Sequence, residues 1–249
     1  MPPHSVTLLT VDTAYHELTN HAIERTLQQF KVSDVLVFTD LPQKFPGIPT
    51  RSIKTLTSKD EYNQLILTEA VNYLDSDFGL VIQYDGFALD GSRWESNFLD
   101  YDYIGAPWPN LGEYNIGNGG FSLRSKKLME NVARFAHNRN DNEPEDYFIG
   151  VTLRSLLEKT CNAKFPTDTV ALRFSFESPG HPKQSFGFHG ILNLAIAYQN
   201  NPWDFFLRAP SDLIQTRGRE LAYGITQLPF EAQEIFTRTW SEWHAARTS

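Results

Sequence analysis

The chain has 249 residues, 41% of them hydrophobic, which is enough for one large core or two small ones. Its 22 basic and 30 acidic residues leave a net charge of −8, which argues against nucleic acid or an anionic membrane as the main partner; a phosphorylated substrate would need a metal ion or a few placed cations. One cysteine, Cys161, excludes an intrachain disulfide, the N-terminus lacks the features of a signal peptide, and no window approaches the roughly 20 apolar residues of a membrane span, so the expectation is a soluble, cytoplasmic protein with no transmembrane segment.

Val6 to Val11 is a short, β-branched apolar run, predicted as a buried strand that ends at Asp12. From Thr19 to Phe30, Ala22, Ile23, Leu27 and Phe30 share one helical face. Val35 to Phe38 is a second buried strand, stopping at Thr39-Asp40, and a proline-rich loop follows. Ser58 and Glu61 form a capping box ahead of a helix to about Leu74. Gly79 to Ile82 is a third strand running into Gln83-Tyr84-Asp85-Gly86, and Ser92 with Glu95 predicts a short helix near Phe98.

Alternating strands and helices over the first 85 residues predict an α/β fold with a parallel sheet. In such sheets ligands sit beyond the carboxyl ends of the strands. Asp12, Asp40 and Asp85 all stand at those ends. One aspartate there could be a turn residue; three in register point to a polar site.

After residue 100 the texture becomes aromatic and proline-punctuated, with Trp108 between Pro107 and Pro109. Asn115 to Arg124 (NIGNGGFSLR) then packs Gly117, Gly119 and Gly120 against an alternating, strand-like run. A strand rather than a helix follows the glycines, so the segment is neither a P-loop nor a dinucleotide fingerprint. The expectation is a side-chain-free floor for a bulky polar ligand, with a tight turn as the plainer reading. Ser125 caps a helix to about Asn138, and an acidic loop leads through Glu145-Asp146 into a helix from Tyr147 to about Lys159. Phe165 to Phe176 and Ser185 to Phe188 read as strands around the turn 178–182. The tail from Pro202 reads as two or three helices carrying Trp240 and Trp243.

The order of these parts — an α/β half, an aspartate turn after the third strand, GNGGFSLRS, a Glu-Asp turn opening a helix, then Phe188-His189-Gly190 — resembles glycosyltransferases of the GT-A fold. With its DYDYIGAPW and GNGGFSLR segments, the chain is most similar to a bacterial family known only as a domain of unknown function; the resemblance covers roughly residues 5 to 195. It implies a GT-A-like nucleotide-diphospho-sugar transferase fold, with a mostly parallel central sheet flanked by helices, residues 1–200 as catalytic domain and 201–249 as a helical extension packed on it.

The resemblance also implies roles. Asp85 matches the last aspartate of the metal-binding Asp-x-Asp turn and His189 a second ligand, holding Mn²⁺ or Mg²⁺ against the donor diphosphate. His181 is a weaker alternative, and Gln83 in the first position of the turn puts metal dependence in question. Asp146 is the expected base of an inverting transfer, with Glu145 binding acceptor hydroxyls. Thr10, Asp12 and Asp40 are expected at the nucleoside, Gly119 and Gly120 under the donor sugar, and Trp108 and Asn118 at the acceptor. Arg124 and Arg173 are candidate phosphate contacts. The resulting expectation is a nucleotide-sugar-dependent glycosyltransferase acting on a saccharide or lipid-linked saccharide. A non-catalytic or degenerate binding module of the same fold is the alternative, and a retaining reaction would release Asp146 from the role of base.

Overall fold

The structure is a computed structural model that describes residues 5–108, 112, 115–177 and 184–248. The turn 178–183, with His181, and Pro109 lie outside the described residues.

Three strands are built from the apolar runs, β1 (Val6–Asp12), β2 (Asp34–Thr39) and β4 (Phe78–Ile82), and a short polar strand, β3 (Thr50–Ser52), joins them at the edge. They pair in parallel in the order β3-β2-β1-β4. Beyond β4 the sheet continues with β6 (Phe121–Ser125), antiparallel to β4, and then β5 (Tyr103–Ile104), antiparallel to β6. Side chains alternate across the sheet. Leu8, Leu80 and Ile82 enter one core, and Leu9 and Val81 enter another on the opposite face. Burial on both faces is what a helix-covered parallel sheet requires.

The first core is closed by α1 (His16–Gln29), α7 (Ile191–Ala197), α8 (Trp203–Phe206), α9 (Ser211–Thr226) and α10 (Phe230–Thr248). The second is closed by α2 (Lys59–Gln64), which continues as a π-turn and a 3₁₀ turn to Tyr73, by α3 (Lys126–Phe135) and by α5 (Arg154–Cys161). Ser58 and Ser125 cap α2 and α3, accepting from the Glu61 and Leu128 N–H groups at 3.2 and 3.0 Å. Trp243 is buried and donates from Nε1 to the Phe206 carbonyl at 2.8 Å, so the tail shares the core of the sheet. No helix among the described residues is long and apolar enough to cross a membrane.

Three predicted elements differ. Residues 165–176 are mostly the helix α6 (Asp168–Phe174), followed by the two-residue strand β7 (Ser175–Phe176) that pairs with β8 (Gly187–Phe188). Ala171 and Phe174, three apart, supply its buried face, a helical spacing that the surrounding threonines and valine disguise. Near Phe98 there are only 3₁₀ turns, and Asp90, not Ser92, caps the first, its carboxylate accepting from the Ser92 N–H. The helix expected from Tyr147 starts two residues earlier as α4 (Glu145–Tyr147) and opens into a π-turn over Phe148–Thr152 before α5. Such turns re-aim the residues before them.

Candidate functional site

Gly119 and Gly120 lie where the chain enters β6, antiparallel to β4. Both are buried, so they do not form an open floor for a ligand. Their missing side chains make room for protein instead. A Cβ on Gly119 would run into Glu145, and one on Gly120 into the His189 imidazole and Gln83. Two neighbouring residues therefore join two polar clusters.

On the Gly119 side, Asp146 Oδ2 accepts from the Gly119 N–H at 3.0 Å and Oδ1 from the Tyr147 N–H at 2.8 Å. The residue is half-buried. Burial, reinforced by the Glu145 carboxylate beside it, pushes the Asp146 carboxyl up to about 6. It is thus still mostly ionised at neutral pH and basic enough to accept a proton. Glu145 departs from its expected role as an acceptor contact. Both its oxygens bind the Arg124 guanidinium, at 2.7 and 2.8 Å, and the two side chains are 5% and 1% exposed. Arg124 also donates to Ser122 Oγ and the Gly119 carbonyl and lies against the Tyr103 ring. This pair holds α4 against the glycines, and each guanidinium nitrogen of Arg124 is hydrogen-bonded to protein.

On the Gly120 side, the tight turn from Gln83 to Gly86 is closed by mutual backbone bonds of 3.0 and 3.1 Å. It presents Asp85, buried, with Oδ1 lying 3.6 Å from His189 Nε2. His189 Nε2 also meets Gln83 Oε1 at 3.3 Å, and its Nδ1 meets Glu177 Oε1 at 3.1 Å. Gln83 in turn donates to the Tyr62 hydroxyl at 2.8 Å. Burial pushes the Asp85 carboxyl up. Burial opposes the His189 imidazolium too, but the Asp85 and Glu177 carboxylates outweigh it and lift the histidine to about 9. Asp85 Oδ1 has no hydrogen-bond partner among the described residues.

That orphaned oxygen bears on whether a cation fits. Asp85 Oδ1 and Gln83 Oε1 lie 3.6 and 3.3 Å from His189 Nε2, which would have to give up its proton to ligate a cation. Among the described residues no three His, Cys, Asp or Glu side chains form a metal cluster. With one carboxylate, one imidazole and one amide, a Mn²⁺ or Mg²⁺ ion placed here would have to take most of its ligands from phosphate and water.

The remaining candidates divide. Asp12 Oδ1 accepts from the Ala14 and Tyr15 N–H groups at 3.1 and 2.9 Å, while its buried Oδ2 has no partner among the described residues. Asp40 binds His16 Nε2 at 2.8 Å and the Thr55 hydroxyl at 2.6 Å. Thr10 is buried, and its hydroxyl donates to the Ile82 carbonyl at 2.9 Å; it ties β1 to β4 and offers a nucleoside no surface. Asn118 is buried and its Oδ1 accepts from the Gly120 N–H, so it shapes the turn rather than facing an acceptor. Trp108 packs over Gly117 and beside Tyr147, ring centroids 6.3 Å apart, on the same side as Asp146. Arg173 pairs with Glu95 at 2.7 Å.

Sequence reading missed several members. Tyr62, Glu177 and Gln83 (as an amide bonded to His189) complete the network, and Tyr147 adds an exposed ring beside Asp146. The Tyr15 and Tyr84 rings lie tilted against each other, centroids 4.5 Å apart, beyond the ends of β1 and β4. Gln83 and Tyr147 had local signals, from the Asp85 turn and the Glu-Asp pair beside them; Tyr62 and Glu177 had none.

A glycosyltransferase involved in the glycosylation of the major capsid of PBCV-1 is similar over 74% of this chain and 92% of that chain, at 13% identity and TM-score 0.51. The mannosyltransferase PcManGT from Pyrobaculum calidifontis, in complex with GDP-Man and Mn²⁺, aligns over 98% of this chain and 83% of that one at 10% identity and TM-score 0.45. No curated protein matches the sequence. The fold is the mixed α/β, mostly parallel fold of GT-A nucleotide-sugar transferases. Residues 48–189, more than half of the chain, match the family described as protein of unknown function, DUF5672, and the chain belongs to that family.

Proposed function

We infer that the chain transfers a glycosyl group from a nucleotide-sugar donor to a hydroxyl of a saccharide or lipid-linked saccharide, with inversion. The observation that carries this reading is Asp146: a half-buried carboxylate, fixed by the Gly119 N–H and raised to about 6, one residue across the glycine pair from the Asp85–His189 cluster. The GT-A fold supports it. In a single displacement, an acceptor hydroxyl gives its proton to an Asp146 oxygen while the hydroxyl oxygen bonds to the anomeric carbon, and the bond to the nucleoside diphosphate breaks on the opposite face. The backbone donors on Asp146 hold it in line, and Trp108 with Tyr147 offers aromatic faces for the acceptor sugar. Glu145 and Arg124 keep α4 in place. Asp12, at the carboxyl end of β1, is the nucleoside-side contact, and Asp40 lies farther along the same strand ends.

Asp85 and His189, with Gln83, would hold the divalent cation, which when bound neutralises charge on the departing diphosphate. Gln83 is also the basis of a second reading, a binding module that holds the donor without turnover, because the amide lies where a second carboxylate would strengthen the cation site.

The test is thermal shift against nucleoside diphosphates and nucleotide sugars, each with and without Mn²⁺, followed by a transfer assay with the nucleotide that stabilises. A ligand at about 100 times its dissociation constant adds roughly 2.7 kcal/mol. Stabilisation without transfer by any acceptor would leave the binding module; no stabilisation by any nucleotide would overturn both readings.

A further inference from the structure

Trp240, Trp243, His244 and Arg247 fall at i, i+3, i+4 and i+7 of α10, the spacing of one helix face. Ser211, Ile214, Gly218 and Ala222 make the matching face of α9. Between the two faces lies a cleft of about 530 Å³. Small-ligand sites span roughly 300–1,000 Å³ and are often found between helices. The cleft shares no lining residue with the site of Asp85 and Asp146, and sugar transfer there gives it no task.

Its floor is aromatic and fixed. Trp243 is buried and held through Nε1 by the Phe206 carbonyl at 2.8 Å. The Phe206 ring also packs on Trp240, with centroids 5.7 Å apart. Trp240 is only half-buried, and its indole lies nearly parallel to the His244 ring, 16° and 6.2 Å away. Across from it, Gly218 brings no side chain; an added Cβ would sit 3.5 Å from the Trp240 ring. A partly exposed indole opposite a wall without bulk suits the apolar face of a sugar ring.

The charge of the cleft is opposite to that of the chain. Arg219 and Arg247 line it and no Asp or Glu does, in a protein of net charge −8. Glu220, the carboxylate next to Arg219, is taken by Arg217 through bonds of 2.8 and 2.6 Å. Arg247 lies over the Trp243 ring at 4.3 Å, a stacking that leaves the donors on the guanidinium edge for a ligand. Both arginines are exposed, and neither forms an ion pair among the described residues. Two planar forks of donors match a carboxylate, and the Gln215 amide in the same cleft can bind hydroxyls.

We propose that the α9–α10 cleft binds an acidic saccharide, with a sugar ring on Trp240 and a sugar carboxylate held by Arg219 and Arg247. The binding requires neither nucleotide nor metal. Only the further step, that this saccharide is an outlying part of the acceptor, rests on the transfer reading.

The probe is a tetrasaccharide of alternating glucuronic acid and N-acetylglucosamine, titrated by calorimetry into the full chain without nucleotide or Mn²⁺. The control ligand is the same tetrasaccharide with its carboxyl groups reduced to alcohols. The variants are Arg219→Gln with Arg247→Gln, both exposed, and Arg238→Gln, an exposed arginine of α10 outside the cleft. The acidic ligand should bind at least about 10-fold more tightly than the reduced one, and the double variant should lose that difference while Arg238→Gln keeps it. No binding of the acidic ligand, equal binding of the two, or an equal loss in Arg238→Gln would overturn the proposal. So would binding to phosphatidylglycerol vesicles in place of the saccharide, or a dimer that the double variant disperses, which would assign the cleft to a lipid surface or to a second copy. None of these results bears on nucleotide binding at Asp85, which the thermal-shift experiment decides separately.

Discussion

The two sides of the Gly119–Gly120 pair are built from the same residue types and are matched very differently. On one side Arg124 and Glu145 are nearly inaccessible and paired, with each guanidinium nitrogen bonded to protein. On the other, Asp85 is as deeply buried yet keeps an oxygen with no hydrogen-bond partner among the described residues, opposite a histidine that its carboxylate neighbours hold protonated to about 9. A buried polar atom without a partner costs on the order of 1–3 kcal/mol, and folding alone does not select for it. A saturated ion pair marks a structural clamp; an incomplete donor set marks a place kept for something else. Asp146 lies between them, anchored by backbone yet half-exposed.

The largest effect is expected at that intermediate residue. Asp146→Asn keeps the acceptor oxygen for the Gly119 N–H and removes the base, so transfer should fall by about 10²- to 10⁴-fold while nucleoside-diphosphate affinity is unchanged. Retained turnover would exclude Asp146 as base and favour a retaining route. The pH profile is a second check. The base must be ionised, so the wild-type rate should fall as pH drops below about 6. The stability sign is opposite to that of a salt-bridged carboxylate. Because the folded-state value is raised, the native state binds the extra proton between the ordinary value of 3.8 and about 6, and stability declines as pH rises through that window. Asp146→Asn removes that burial penalty but gives up the bond from the Tyr147 N–H, so at pH 7 its melting temperature should stay close to that of the wild type.

The clamp predicts the reverse pattern. Glu145→Gln leaves the Arg124 guanidinium buried without its counter-charge, at a cost of about 3–5 kcal/mol in a denaturant titration. Replacing both, as Arg124→Met with Glu145→Leu, should recover most of that loss, because an apolar pair of similar volume avoids the desolvation of two charges. If the clamp also positions Asp146, the stable double variant will still turn over slowly. Full activity in the double variant would reduce Arg124 and Glu145 to packing.

Which of this was legible in the sequence follows from how local each signal is. The β1, β2 and β4 strands and the caps at Ser58 and Ser125 declare themselves within a few residues, and the aspartates at the strand ends follow from them. The Glu-Asp turn and the glycine run were also visible, but not what they touch. A glycine shows that something approaches closely; it does not show that the visitor is Glu145 or His189 rather than a sugar. Thr10 and Asn118 looked like ligand contacts because their type and place allow it, and only the three-dimensional pairing reveals that Ile82 and Gly120 already satisfy them.

Two substitutions on the open side are smaller and sharpen the comparison. Gly120→Ala places a methyl against the His189 imidazole and Gln83, and overpacking of this kind costs about 1–3 kcal/mol. It should also weaken binding of the nucleoside diphosphate in Mn²⁺ by turning His189 away. Asp85→Asn is the smallest change and the most discriminating. It removes a carboxylate that burial already disfavours, so the melting temperature should hold or rise, in contrast to Glu145→Gln. The same variant takes away the one charged oxygen available to a cation, so the gain in nucleoside-diphosphate affinity on adding Mn²⁺ should disappear. A variant that is stable and has lost its metal response separates function from folding at this position. If the Mn²⁺ response survives, Asp85 is not a ligand, and its unpartnered oxygen has to be explained by the neighbouring imidazolium alone.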